Sequence, residues 1–157
     1  MSRRELKYLV IHCTATPEGR EVSAADIRRW HTSPLSKGGR GWKQVGYTDM
    51  IHLDGSVERL VDNNEDNWVD DWEVTNGVAG YNSVSRHVVY VGGVAKDGKT
   101  PRDTRTAAQL KAMEEYVKSF HTAHPGVRIL GHNDLAAKAC PSFKVGEWLK
   151  TIGINQK

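Results

Sequence analysis

The sequence predicts an α/β fold, a single domain with a central mixed β-sheet flanked by helices. Short runs rich in β-branched and aromatic residues, at positions 6–11, 87–91 and 127–130, have the length and composition of buried strands. Apolar residues recur at helical spacing between them, most clearly Leu110, Met113, Val117 and Phe120. The dipeptide Asp54-Gly55 lies between apolar stretches at 47–53 and 57–61. It adds an antiparallel hairpin, because glycine accepts the positive φ of a tight turn without steric cost.

The first strand covers residues 6–12, with His12 at its end. After a turn carrying Pro17 and Gly19, Ser23 and Asp26 have the spacing of a capping box, which predicts a short helix through Ile27 and Trp30 with His31 in its last turn. Pro34 and four glycines make 33–46 an exposed loop. Residues 62–86, rich in Asp, Asn and Gly, receive no regular assignment. A strand follows over 87–91, ended by Gly92-Gly93, then a long amphipathic helix from Thr106 to about His121. A short strand at 127–130 runs into Gly131-His132, and a final helix covers 145–152.

At 157 residues one core suffices, so one domain is expected over 1–157. A hydrophobic share of 38% and a charged share of 26% exclude a disordered chain. The net charge of +3 identifies no partner, and nucleic acid is not expected to be one. No apolar run approaches the ~20 residues of a bilayer span, so no membrane insertion is expected. Tyr8-Leu9-Val10-Ile11 reads as a strand and not as a signal peptide, which predicts synthesis in the cytoplasm. Cys13 and Cys140 belong to no spaced framework, and two free thiols are expected. Alternation along the first strand turns Cys13 away from the face used by His12, making it a buried structural thiol. A monomer is expected.

A catalytic zinc ion takes three protein ligands and keeps a fourth position open. Candidates are His12 at a strand end, His132 after a strand, and Cys140 in the loop Lys138-Ala139-Cys140-Pro141. Spacing alone does not establish the set. The chain has seven histidines, and a Cys eight residues after a His is not a diagnostic zinc spacing.

Four segments, taken together and in this order, carry a resemblance: Val10-Ile11-His12-Cys13-Thr14-Ala15-Thr16; Gly46-Tyr47 with Asp54-Gly55-Ser56-Val57-Glu58; Tyr90-Val91-Gly92-Gly93; and Gly131-His132 through Lys138-Ala139-Cys140-Pro141-Ser142-Phe143. The chain resembles the amidase-2 family of N-acetylmuramoyl-L-alanine amidases, in particular its bacteriophage members, from about residue 6 to about 150. The resemblance implies a zinc hydrolase that cuts the amide between N-acetylmuramic acid and the L-alanine of the peptidoglycan stem peptide. It implies Zn2+ held by His12, His132 and Cys140, with Tyr47 and Lys138 as catalytic residues. A groove with Trp30, His31, Trp42 and residues 77–82 would hold glycan and peptide.

Peptidoglycan is then the expected partner, reached after release or export from the cytoplasm, as by a phage endolysin or a bacterial lytic enzyme. Docking on an RNA polymerase, which the phage likeness raises, would depend on surface residues that a single sequence does not evaluate. Three positions depart from the family pattern. Thr48 follows Tyr47 where many relatives have His, residues 76–82 lack a His, and Asn133 replaces a frequent Arg. The alternatives are a peptidoglycan-binding module without activity and a metal-free hydrolase using Cys140 with His132.

Overall fold

The computed structural model describes residues 3–156; Met1, Ser2 and Lys157, the ends of the expected 1–157 domain, lie outside the described residues. Nine strands occur among them: β1 (Arg3–Glu5), β2 (Tyr8–Cys13), β3 (Thr16–Pro17), β4 (Asp49–Ile51), β5 (Val57–Arg59), β6 (Trp68–Asp70), β7 (Ser85–Tyr90), β8 (Gly93–Val94) and β9 (Arg128–Gly131). The α-helices are α1 (Ala24–Thr32), α2 (Ala107–Ala123), α3 (His132–Leu135) and α4 (Val145–Thr151).

The central sheet has the order β5-β4-β7-β2-β9. Its strands are parallel except for β5, which runs antiparallel to β4 across the Asp54-Gly55 turn. Gly55 has φ +87°, and a Cβ there would lie 2.8 Å from the carbonyl oxygen of Ala108. The turn therefore needs glycine both for its conformation and for the close approach of α2. The expected mixed sheet with flanking helices is what the chain forms. Two small ladders, β1 with β6 and β3 with β8, complete it. Strand β6 lies in the stretch left unassigned by sequence, where three residues flanked by polar ones give no readable alternation.

Alternation sorts the strand residues between two cores. Leu9, Ile11 and Cys13 of β2 join Val88, Tyr90 and Ile129 on the side covered by Met113 and Val117 of α2 and Leu149 of α4. Val89 and Val91 face the other side with Val22, Ile27 and Val45, under α1. Ser23 caps α1 through the expected capping box with Asp26. Thr106 and Gln109 form a second box at the start of α2. Leu110, expected on the apolar face of that helix, is 39% exposed. Its buried neighbour Gln109 faces the sheet instead, donating from Nε2 to the carbonyls of Val91 (3.0 Å) and Ile51 (3.4 Å).

A cavity of about 550 Å³ between α2 and the β4–β5 edge is lined by Asp49, Arg59, Arg86 and Tyr116 among others. Within it Arg59 Nε donates to Asp49, whose other oxygen accepts from the Tyr116 hydroxyl at 2.6 Å. No described helix is long and apolar enough to cross a membrane.

Candidate metal centre

The parallel register of β2 and β7 pairs Val10 with His87 and His12 with Val89. Partnered residues point to the same side, so His12 and His87 emerge together on the α1 face of the sheet, opposite Cys13. Both histidines are buried. Cys13 is buried with a free thiol in the other core, as expected.

His132 arrives where β9 ends and α3 begins. A Cβ on Gly131 would meet Asn133 Oδ1 at 2.5 Å and Val145 Cγ2 at 2.9 Å, so only glycine lets strand, helix and the following loop come this close. Asn133 then ties the loop back, with its backbone N–H on the carbonyl of Cys140 (2.8 Å) and its amide on that of Phe143 (3.1 Å). The Tyr90 hydroxyl donates to the Pro141 carbonyl at 2.6 Å, and the Cys13 N–H donates to the Cys140 sulfur at 3.1 Å.

These anchors bring one ligand atom each of His12, His132 and Cys140 to within 4.8 Å of one another. His12 Nδ1 is 3.8 Å from Cys140 Sγ, and the two imidazole centroids are 4.9 Å apart. Ligand atoms around a tetrahedral zinc lie roughly 3.3–3.6 Å apart, so a small contraction accommodates the ion. Two imidazoles and a thiol are also the donor chemistry that zinc prefers.

Burial, followed by the neighbouring histidines, holds the pKa of His12 well below its usual value. Burial and the Lys138 charge lower that of His132. Both rings are neutral at pH 7 and have a lone pair to give. The Cys140 thiol is pushed up by the side-chain hydrogen bond with the Cys13 thiol and by burial, while the Cys13 backbone N–H acts the other way. Without a cation it stays protonated.

The Tyr47 ring packs against His12 at 5.2 Å between centroids and against His31 at 5.3 Å. Burial pushes its phenol well up, so the hydroxyl keeps its proton. His31 is buried, accepts at Nδ1 from the Gly46 N–H (2.9 Å), and lies 4.9 Å from the half-buried Trp42 ring. Trp30 is half-buried against the α1-side core, and Lys138 is exposed in the loop before Cys140.

Sequence reasoning placed His87 only in a strand and Asn82 only in the 77–82 groove, and missed their link to His12. His87 Nδ1 lies 2.8 Å from His12 Nε2, and its Nε2 lies 3.0 Å from Asn82 Oδ1. The available signal was a histidine at the head of the apolar run 87–91; its pairing with Val10 is visible only in the sheet. The Thr48 hydroxyl accepts from the His87 N–H at 3.3 Å.

The sequence profile of the N-acetylmuramoyl-L-alanine amidase family matches residues 2–143. This chain belongs to that family. The amidase is 35% identical to the endolysin of Enterobacteria phage K11, over 95% of this chain and 89% of that one. It is 34% identical to the endolysin of Klebsiella phage KP32, over 93% and 87% respectively. Among solved structures, the Ph2119 endolysin from Thermus scotoductus MAT2119 bacteriophage Ph2119 superposes with a TM-score of 0.70 at 27% identity, covering 96% of this chain and 87% of that one. The amidase is thus a peptidoglycan hydrolase that cleaves between N-acetylmuramic acid and L-alanine.

Proposed function

We propose that the amidase is a zinc enzyme of endolysin type, with the ion held by His12, His132 and Cys140. The observation that carries this reading is the convergence of those three donors, distant in the chain, to within 4.8 Å. When bound there, zinc supplies a Lewis acid that polarises the scissile carbonyl and brings the pKa of a water toward ~7.

The chain's own residues supply the rest. The Tyr47 phenol, protonated and packed on His12, donates a hydrogen bond to the oxygen that becomes negative as the amide carbon turns tetrahedral. Lys138 brings an ammonium to the same charge. Trp30, Trp42 and residues 77–82 form groove walls for glycan and peptide, and His31 stands behind Tyr47 and holds its backbone neighbour Gly46. The phage relatives support action on the wall after release from the cell that makes the enzyme.

A metal-free cysteine hydrolase would need a thiolate held by a cation such as a protonated imidazole, and burial keeps both rings beside Cys140, His12 and His132, neutral. A binding module has no use for three converging zinc donors. Digestion of purified sacculi tests the reading. The expected products are free muramic acid carboxyls and free L-alanine amines, with release stopped by a chelator and restored by zinc. Undiminished cleavage after chelation would establish the cysteine mechanism, and no cleavage under any metal condition would establish the binding module.

A further inference from the structure

We propose that Asn82 and His87 are positioning residues that fix the tautomer of His12, keeping its Nδ1 lone pair turned toward His132 and Cys140. The proton positions follow one another from a single anchor. Asn82 Oδ1 accepts from the backbone N–H of Val78 at 2.8 Å, which settles the orientation of the amide, since an N–H cannot donate to Nδ2. The same oxygen faces His87 Nε2 at 3.0 Å, so that nitrogen carries the proton. His87 is fully buried and its ring partners are a second imidazole and an amide, with no carboxylate to hold a charge, so the ring is neutral, and with Nε2 protonated its Nδ1 is bare and can only accept. At 2.8 Å from it, His12 Nε2 must be the donor. The remaining His12 nitrogen, Nδ1, is left unprotonated, and it is the one 3.8 Å from the Cys140 sulfur.

Water has no place in this relay. His87 is fully buried, and a Cβ on Gly77 would sit 2.4 Å from His87 Nδ1, so the 77–82 loop lies directly over the ring. Outer partners of a metal-bound histidine raise its basicity and hold its ring plane, and their loss typically costs about 10–100-fold in metal affinity. The inference rests on the zinc reading for its consequence but not for its geometry, which belongs to the metal-free chain.

The test combines two measurements. Nitrogen-15 NMR of the histidine rings in the metal-free protein should place the His12 proton on Nε2 and the His87 proton also on Nε2. Zinc affinity, by competition with a chromogenic chelator, should fall about tenfold or more in Asn82→Leu. It should stay at the wild-type level or tighten in Asn82→Asp, whose carboxylate accepts the same two hydrogen bonds. A His12 proton on Nδ1 in the wild-type protein would overturn the proposal, as would Asn82→Leu binding zinc like the wild type, or Asn82→Asp losing as much affinity as Asn82→Leu. If the wild-type tautomers are as described and the protein binds no zinc, the zinc reading fails while the relay stands. The ring spectra of the wild type need no variant to fold.

Discussion

The backbone N–H of Cys13 donates to the sulfur of Cys140 across 3.1 Å, joining the end of the first central strand to a loop 127 residues later. Such a hydrogen bond favours a thiolate over a thiol, and the same strand end supplies His12. Replacing Cys140 by Ser keeps an acceptor for that N–H but gives zinc a neutral hydroxyl. We expect a folded protein with amide cleavage down more than about a hundredfold, beyond the range for outer-shell partners, and zinc lost on desalting. Metal analysis and a sacculus assay on one preparation check both.

Tyr47→Phe keeps the ring contacts with His12 and His31 and removes only the hydroxyl. Lys138→Ala removes an exposed side chain. Each should retain zinc and lower turnover by about 10²–10³-fold, the usual effect of losing one donor to a developing oxyanion. Lys138→Ala should leave stability within about 0.5 kcal/mol. Unchanged turnover in either variant would remove that residue from the reaction.

His52 gives a pH dependence of stability. Burial lowers its pKa, but hydrogen bonds to Glu21 (2.9 Å) and Glu58 (2.8 Å) outweigh this and leave it raised above 6.5. A raised folded pKa means that the charged ring stabilises the fold fully below the unfolded value, with the contribution lost as pH rises through the folded value. His52→Asn should therefore lower Tm at about pH 5 and have almost no effect at about pH 9. With both carboxylates about half exposed, the loss should be under about 1 kcal/mol. Equal Tm shifts at the two pH values would contradict this.

Gln109 couples α2 to the sheet. Gln109→Leu fills the space but leaves the Val91 and Ile51 carbonyls without their side-chain donor and the Thr106 N–H without its cap. The expected cost is about 1–3 kcal/mol in urea unfolding, with the metal centre unaffected. A neutral result would show that water replaces the amide.

Much of this was legible in the sequence because it is written in local pattern. The capping box at Ser23, the helix start at Thr106, the Asp54-Gly55 turn and the β-branched runs each report a local preference, and each formed where expected within a few residues. The parity of His12 and Cys13 on one strand also followed from alternation alone. The convergence of His12, His132 and Cys140 was legible only through family resemblance, since it depends on Gly131, Asn133 and Tyr90 closing a loop that no spacing encodes. Strand β6 went unread because its pairing with residues 3–5 is set by tertiary contact. The His12–His87–Asn82 chain went unread because it needs the register of two strands distant in sequence.

X-ray absorption at the zinc edge of the purified, zinc-loaded amidase reads the ligand set directly. We expect one zinc per chain with one sulfur at about 2.3 Å and two imidazole nitrogens at about 2.0–2.1 Å. A spectrum with no sulfur neighbour, or with a single imidazole, would contradict the His12, His132 and Cys140 centre.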